Sequence, residues 1–435
     1  MKLPIPGPRS LALAEKLRRY ECRNTTFVSS EFPIFWEKAH GAHVWDVDGN
    51  CYLDFTSGFG VAALGYTPEF SAKALKDQAS ILSHAMGDVH PTELKVRLCE
   101  KLSALTFESW HAGIGKTILS NSGAEAVEAA LKTAWIATGK SGVIAFENSY
   151  HGLTCGALTV TGREDFRSPF QSALASFSTF LPFPREQDHL DSLETKIRSE
   201  VAKGKIGAIL VEPILGRGGE VIPPDGFLKM LRRCTDDLGI LLILDEIYVG
   251  WYRTGKRFAC DHEGVVPDLI CLGKAMTGFF PMGACVGKAA IMDRWPESNG
   301  EALHTSTFLG NPLGCRVALT QLEELEKQWG TLQLEEKSRA LQKGLDELAQ
   351  LSPCIIAPRT RGMLGAIDFV DAEGRADGAR AAKVMIQALQ SGLILLASGA
   401  HGNVLSFTPP FVISVEEIKS GIQILRKIIE ESPSI

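Results

Sequence analysis

The sequence predicts an α/β protein in which helices cover a mostly parallel sheet and a smaller α+β domain follows. Short apolar runs separated by helix-length segments are the first observation behind this prediction. The runs are apolar throughout rather than alternating, as is typical of parallel strands buried on both faces. Beyond residue 351, strand-like pieces and helices follow one another more closely. The apolar runs are residues 117–120, 142–146, 207–211, 239–244 and 269–272.

The other elements follow from helical periodicity and from the β-branched or aromatic pieces near the C-terminus. The expected helices include residues 124–138, 312–328, 332–348 and 415–430. The strand-like pieces near the C-terminus are residues 362–370, 393–396 and 404–408. We therefore expect an N-terminal segment at 1–65, a large α/β domain at 66–311 and a small domain at 312–435, which the N-terminal segment completes.

Composition excludes several classes of protein. The 435 residues carry 45 basic and 51 acidic side chains without a basic block, so no nucleic-acid partner is expected. The ten cysteines never form C-x-x-C, which is typical of reduced thiols in a cytoplasmic protein, and no metal site is expected. Residues 391–415 lack formal charge, but Gly399, Gly402 and Pro409 favour a strand-turn-strand over a membrane span.

Polar residues stand directly after each apolar run. Ligands of open parallel sheets bind outside the carboxyl ends of the strands, so these residues are expected to converge on one edge of the sheet. They include Ser122, His151, Glu212, Asp245 and Lys274.

The segment from Ser122 to Glu125 opens the alanine-rich helix and allows two interpretations. Ser122 with Glu125 three residues later has the spacing of a capping box. The same helix start is also a candidate anion site, because its first N–H groups attract phosphate and Gly123 permits close approach.

Asp245 and Lys274 each have an ordinary and a chemical interpretation. Asp245 ends a buried apolar run, where it either caps the next turn or pairs with a protonated ring nitrogen. Lys274 is either a surface lysine or a desolvated amine able to form a Schiff base. They lie 29 residues apart, which fits one strand-helix-strand step. A phosphate site, a ring-nitrogen partner and a reactive lysine at three strand ends together predict pyridoxal 5′-phosphate (PLP) as the cofactor.

The chain resembles the class-III (ornithine/4-aminobutyrate-type) aminotransferases, which have PLP fold type I. The resemblance extends over nearly the whole chain, and its most specific part begins at Leu244-Asp245-Glu246-Ile247 and ends at Gly273-Lys274. Further matching motifs are Asn121–Glu125, Tyr150-His151-Gly152, Val211-Glu212-Pro213 and Ser306-Thr307-Phe308-Leu309-Gly310-Asn311-Pro312.

The resemblance implies a role for each matching residue. Lys274 would hold the cofactor as a Schiff base and move protons, and Asp245 would keep the pyridine nitrogen protonated. Tyr150 and Ile247 would pack on the two ring faces, although plain core packing is the alternative for both. The cofactor-binding set implied is Ser122, Gly123, Ala124, Tyr150, His151, Glu212, Asp245, Ile247, Lys274 and Thr307. Thr307 would reach the cofactor of the neighbouring subunit, which implies a homodimer with active sites at the subunit interface.

Departures from the family pattern bear on the substrate. Tyr248 replaces a glutamine that often bonds the phenolic oxygen of the cofactor, so its hydroxyl either substitutes for that bond or serves as a catalytic acid or base. Arg217 stands where glutamate is common in the family. It either binds a carboxylate of the substrate or is an ordinary exposed loop arginine. Ser406 stands where many members carry a carboxylate-binding arginine, so either Arg217 replaces that arginine or the substrate lacks this carboxylate. Phe59 is expected to line the substrate pocket.

The function expected is transfer of an amino group from an amino acid or amine to an oxo acid, in two half-reactions. The alternative is a racemase or epimerase, because the chain is also similar to the amino-acid and aminolactam racemases of this family. Racemisation needs a second acid or base on the opposite face. Those racemases tend to have Asp and Lys where this chain has Arg217 and Tyr248, which argues against the same mechanism, although Tyr248 could serve as a different acid. A non-catalytic PLP-binding regulator is a third class, but no remaining segment is long enough for a DNA-binding module.

Overall fold

The computed structural model describes residues 4–431 and divides into two compact units. The large unit is Glu69–Trp329. The small unit combines the chain up to Pro68 with the chain from Gly330 onward. The three-part domain division expected from the sequence remains a proposal. The large unit ends at Trp329, because the helix at Pro312–Gln328 packs on two of its helices, Glu69–Ala79 and Glu93–Ser103.

The secondary structure closely follows the expected order. The strands are β1 (Trp36–His40), β2 (His43–Asp46), β3 (Cys51–Asp54), β4 (Gly115–Ser120), β5 (Gly142–Phe146), β6 (Ser178–Leu181), β7 (Ile206–Val211), β8 (Leu241–Asp245), β9 (Leu269–Leu272), β10 (Gly283–Lys288), β11 (Ile355–Arg361), β12 (Leu364–Phe369), β13 (Leu393–Ile394), β14 (Leu396–Ser398) and β15 (Val404–Phe407). The α-helices are α1 (Pro8–Tyr20), α2 (Ser57–Gly60), α3 (Glu69–Ala79), α4 (Glu93–Ser103), α5 (Gly123–Thr138), α6 (Cys155–Val160), α7 (Glu164–Arg167), α8 (His189–Ala202), α9 (Phe227–Leu238), α10 (Ala289–Met292), α11 (Pro312–Gln328), α12 (Leu334–Leu351), α13 (Gly378–Gln390) and α14 (Val415–Glu431). A π-helical turn at Ala104–Glu108 and 3₁₀ turns at Ser168–Ala173, Ala259–His262, Lys274–Met276 and Trp329–Thr331 complete the list.

The large unit contains a seven-stranded sheet in the order β4-β10-β9-β8-β7-β5-β6. The five strands from β9 to β6 are parallel, whereas β10 runs antiparallel to both β9 and β4. The predicted mostly parallel sheet is therefore confirmed, with one reversed strand that the sequence analysis did not include. Because β4 is antiparallel to β10, it shares its direction with the parallel strands, and its carboxyl end lies at the same edge of the sheet.

The core of the large unit forms where α5 packs on the sheet. Every residue of β5 and β7 is buried, as expected for strands covered on both faces. The small side chains of Ala126 and Ala130 let α5 pack among Leu210, Ile243 and Cys271 in one buried cluster. This packing fixes the start of α5 beside the carboxyl edge of the strands.

The small unit holds two four-stranded sheets, ordered β1-β2-β3-β13 and β11-β12-β15-β14. Helix α12 packs against α14 and β11. The uncharged stretch at residues 391–415 forms β13, β14 and β15, and the turn before β15 carries left-handed Gly399 and Gly402. The strand-turn-strand prediction is therefore confirmed. Within residues 4–431, no helix is long and apolar enough to cross a membrane.

Candidate active site

The polar residues that follow the strands stand at one edge of the large sheet. Asp245 ends β8, and Lys274 follows the adjacent parallel strand β9 after one glycine. Glu212 directly follows β7, and His151 lies five residues beyond the end of β5. The parallel register, with Asp245 opposite Cys271, brings these elements together as the sequence predicts.

Asp245 and His151 form a buried pair. They are 4% and 2% exposed, and His151 Nδ1 lies 2.7 Å from Asp245 Oδ2. Because a carboxylate accepts hydrogen bonds, Nδ1 is the donor in this pair, and the bond fixes the orientation of the imidazole ring. Asp245 Oδ1 accepts from the backbone N–H of Ile247 at 3.1 Å. Sequence reasoning listed His151 but did not pair it with Asp245, since residues 94 positions apart give no local signal.

Glu212 ties two loops together at this edge. Its Oε1 accepts from the backbone N–H of Tyr150 at 2.8 Å, and its Oε2 accepts from that of Gly216 at 3.0 Å. Burial raises the pKa of Glu212 to about 7, and the charge of Asp245 adds to the increase. Both carboxylate oxygens are thus engaged by backbone, so Glu212 orders the loops that carry Tyr150 and Gly216.

Lys274 presents its amine to the ring of Tyr248. Its backbone is left-handed, with φ of 46°, at the start of the 3₁₀ turn Lys274–Met276. The Nζ atom lies 4.2 Å from the centroid of the Tyr248 ring. Burial lowers the pKa of Lys274 to about 8, because desolvation disfavours the ammonium form. A sizeable fraction of this amine is consequently neutral near pH 8, as a nucleophile requires.

The start of α5 is capped as one interpretation of the sequence expects. Ser122 Oγ accepts from Glu125 N at 3.2 Å, and Glu125 Oε2 accepts from Asn121 N at 2.8 Å. The N–H groups of Gly123 and Ala124 belong to the first turn, where a helix offers no acceptor of its own. Ser122 therefore caps the helix. The anion site at the N–H groups of Gly123 and Ala124 stays a prediction, and the capping does not exclude it.

Ile247 fills the space between the start of α5 and the turn before Lys274. A Cβ atom at Gly123 would lie 2.9 Å from Ile247 Cδ1, and one at Gly273 would lie 3.3 Å from Ile247 Cγ2. A side chain at position 123 would therefore force the end of the Ile247 side chain to shift. Ile247 also packs against the large hydrophobic core, so it is a packing residue whether or not it touches a ring.

The guanidinium of Arg217 lies against two aromatic rings, Tyr150 and Phe166. The Tyr150 and Phe166 rings meet edge to face at 5.5 Å, and the Arg217 Cζ atom lies 5.2 and 5.4 Å from their centroids. Arg163 donates to the backbone oxygen of Arg217 at 2.9 Å. Arg217 is exposed yet held in place by these rings. Sequence reasoning missed Phe166 and Arg163, because α7 and the residue before it carry no recognisable motif.

Tyr248 donates its hydroxyl proton to a carboxylate that the sequence analysis also missed. The acceptor is Glu220 Oε1 at 2.8 Å. A Cβ atom at Gly216 would lie 2.5 Å from Tyr248 Cδ1, so only glycine lets the ring approach this loop. The available sequence signal was a lone acidic residue, Glu220, between a glycine pair and an apolar Val-Ile-Pro-Pro segment.

Three further site residues expected from the sequence, Thr307, Phe59 and Ser406, stay predictions. Thr307 is exposed in the large unit, where its neighbour Ser306 accepts a hydrogen bond from Asn121 Nδ2 at 3.0 Å. Phe59 and Ser406 belong to the small unit. Phe59 is exposed with a left-handed backbone, and the buried Ser406 Oγ lies 2.5 Å from Ser398 Oγ.

The groups at the sheet edge suit the chemical parts of PLP. The first turn of α5 offers N–H groups for a phosphate. The Asp245–His151 pair offers a buried negative charge for a protonated ring nitrogen. His151 Nε2 is buried without a hydrogen-bond partner among residues 4–431, as expected beside a site that a ligand completes. Lys274 offers an amine of lowered pKa for an aldehyde.

Comparison with known proteins yields a consistent set of similarities. The class-III aminotransferase family model matches residues 26–429. An acetylornithine aminotransferase of Caldanaerobacter subterraneus subsp. tengcongensis is 35% identical over 418 residues, covering 95% of this chain and 98% of that protein. An alanine/serine racemase of Pyrococcus horikoshii is 30% identical over 446 residues, covering 98% and 92%. The solved structure of an ornithine aminotransferase from Toxoplasma gondii, described with partial occupancy of PLP at its active site, has a TM-score of 0.82 at 29% identity, covering 97% and 96%.

Proposed function

The chain belongs to the class-III aminotransferases, and from that premise we propose that it moves an amino group from an amino acid or amine to an oxo acid at Lys274, with PLP as cofactor. The observation that supports this most directly is the placement of Lys274 beside Asp245 on adjacent parallel strands. The Lys274 amine has a lowered pKa, and Asp245 is buried and fixed by His151. These are the two protein groups that amino-group chemistry on a pyridine cofactor requires.

Bound PLP would supply an aldehyde that takes up the amino group and a ring that withdraws electrons from the reacting carbon. Asp245 would hold a proton at the ring nitrogen, and His151 would orient that carboxylate. The N–H groups of Gly123 and Ala124, beside the capping Ser122, would hold the phosphate. Tyr150 and Ile247 are proposed at the two ring faces. Lys274 Nζ would accept a proton from the amine-bearing carbon of the donor and return it to the carbon on the other side of the donor nitrogen, which was the aldehyde carbon of the cofactor.

The function is tested by adding single amino acids and amines to the PLP-loaded protein without an oxo acid, while the visible cofactor absorbance is recorded. Loss of the visible band, restored by an oxo acid, is the expected result and identifies the donor. A protein that gains no visible band with PLP would contradict the cofactor assignment.

Racemisation is a second candidate because an alanine/serine racemase is among the relatives. In that case the visible band would persist while α-deuterium exchanged with water and optical rotation decayed. The same samples therefore separate the two activities.

We propose Arg217 as the clamp for a substrate carboxylate, because Tyr150 and Phe166 hold its guanidinium at the edge of the site. Replacing Arg217 with alanine is expected to raise KM for a carboxylate-bearing donor by about tenfold, the loss expected for one charge-assisted hydrogen-bond pair. The control is an amine donor without a carboxylate, for which KM should not change. An unchanged KM for both donors would make Arg217 an ordinary loop arginine.

We also propose a homodimer. Two segments of the large unit that touch each other expose several apolar side chains: Ile81, Leu82, Met86, Val89, Leu303 and Phe308. The segments are joined by the His84–Phe308 ring contact at 5.4 Å and by the Thr305–Asp88 hydrogen bond at 2.6 Å. Apolar patches of this kind are typical of association surfaces, and Thr307 lies within this one.

Light scattering is expected to give twice the chain mass of 47.2 kDa. Phe308→Glu should shift the protein toward single chains and weaken PLP retention, because a buried unpaired charge opposes association. Phe170→Glu is the matched control, since Phe170 is 56% exposed and Phe308 is 60% exposed. A single-chain mass for the unchanged protein would rule the dimer out.

A cytoplasmic location is proposed as well, on the basis of ten cysteines that are all free thiols in the structure. Recovery of the native protein in the cytoplasmic fraction of its host is the expected result, and recovery outside the cytoplasm would contradict it.

A further inference from the structure

Glu220 lies at the end of a tight loop that starts where β7 ends. The backbone groups of Leu215 and Val221 pair at 3.1 and 3.0 Å, and Gly219 N donates to Gly216 O at 3.0 Å. Glu220 closes this turn with a left-handed backbone, φ of 50°, which is uncommon for a residue with a side chain. The surrounding hydrogen bonds therefore hold Glu220 in one orientation.

The Glu220 carboxylate is 2% exposed and accepts the hydroxyl proton of Tyr248. A phenol has one proton to donate, so in this arrangement the Tyr248 hydroxyl can only accept further hydrogen bonds. Its ring is held between Gly216, which has no Cβ to obstruct it, and Lys274 Nζ at 4.2 Å from the ring centroid. The hydroxyl anchors the far end of a ring whose face contacts the amine.

We propose that Glu220 is a positioning residue, which holds the Tyr248 hydroxyl and thereby fixes the Tyr248 ring against the amine of Lys274. This rests on the proposed function insofar as that function makes Lys274 the reacting amine. In this arrangement the Tyr248 hydroxyl does not donate to the cofactor in place of the usual glutamine, because its proton is committed to Glu220.

The charges around Lys274 predict in which direction its pKa changes when Glu220 is replaced. Burial lowers the pKa of Lys274, while the carboxylates of Asp245, Glu212 and Glu220 raise it and the Arg217 guanidinium lowers it. The Tyr248 ring also faces the amine, with Nζ 4.2 Å from the ring centroid. Removing the negative charge of Glu220 therefore lowers the pKa of Lys274 further, whereas removing only the Tyr248 hydroxyl leaves that charge in place.

The test measures acylation of Lys274 by acetic anhydride from pH 6 to 10 in the full-length protein, read by mass spectrometry of the Lys274 peptide, after hydroxylamine has released PLP as its oxime and dialysis has removed the oxime. The midpoint of the rate profile reports the pKa of the amine, and the plateau at high pH reports its accessibility. Because no PLP is bound, failure of the proposed transamination would not affect this readout, and failure of this inference would leave the PLP test standing.

Four variants separate charge from position. Glu220→Gln keeps an acceptor for the Tyr248 hydroxyl, so only the midpoint should fall, by about half to one pH unit. Glu220→Leu removes charge and acceptor, so the midpoint should fall and the plateau rise about fivefold, as expected when one hydrogen bond no longer holds the ring. Tyr248→Phe should raise the plateau alone. The Glu220→Leu/Tyr248→Phe double variant should raise it no further than the larger single change.

Glu246→Gln is the matched control, since its buried carboxylate accepts from Ala259 N and Cys260 N at 2.9 and 2.8 Å. It should leave the Lys274 profile unchanged, with circular dichroism showing that each variant is folded. Tyr248→Phe tests the same hydrogen bond from the other side if Glu220→Leu does not fold. Unchanged plateaus in Glu220→Leu and Tyr248→Phe, or changes that add in the double variant, would overturn the inference.

Discussion

Replacing Lys274 with alanine is expected to abolish covalent retention of PLP and to lower kcat/KM by about 10⁴-fold or more, as removal of a central reacting group does. The amine is the group of lowered pKa at the edge of the sheet, beside Asp245 and against the Tyr248 ring. Alanine supplies neither the bond to the cofactor nor the base that accepts the proton. Dialysis followed by an absorbance spectrum measures the first loss, and steady-state kinetics with the identified donor measures the second.

The control for this substitution is Lys288→Ala. Lys288 ends β10 and pairs with Asp268 at 2.8 Å, so its removal deletes a half-buried lysine of the same sheet without touching Lys274. The Lys288 variant should keep its yellow colour after dialysis. A Lys274→Ala protein that is folded and still yellow after dialysis would refute the assignment of Lys274.

Replacing Asp245 with asparagine is expected to lower the rate of the first half-reaction by about 10² to 10³-fold, the range seen when one preorganised charge is lost from an active site. Asparagine keeps the size of the side chain but removes the charge that would hold a proton on the ring nitrogen. It also changes the partner of His151, whose Nδ1 now donates to a carboxylate. Single-turnover measurement of the absorbance change isolates this step from cofactor reloading.

The Asp245 substitution has a second signature in the Lys274 amine. Because the Asp245 carboxylate raises the pKa of Lys274, Asp245→Asn should move the midpoint of Lys274 acylation to lower pH. Glu246→Gln, which removes the charge of the next residue, should change neither the rate nor the midpoint. If the half-reaction rate of Asp245→Asn stayed within threefold of that of the unchanged protein, the charge of Asp245 would not contribute to the reaction.

Local patterns determined the strands and helices of the large unit. Strands β5 and β9 have the predicted ends, and α11 spans the predicted residues, because an apolar run between turn residues or a helical period is encoded in consecutive positions. The reversed strand β10 was not predicted in this way. Its sequence, Gly-Ala-Cys-Val-Gly-Lys, has a weak strand signal, and its direction is set by pairing with β4 and β9.

The sequence by itself determined which residues stand at strand ends, and with them Asp245 and Lys274 as the centre of the candidate site. Only the tertiary structure decided what those residues contact: His151 on Asp245, Phe166 beside Arg217, and Glu220 on the Tyr248 hydroxyl. Strand ends follow from local hydrophobicity. These contacts instead join segments that are far apart in the chain, and no periodic pattern in the sequence links such segments. The packing of α5 and the parallel register bring those segments together, and that packing depends on the whole sheet.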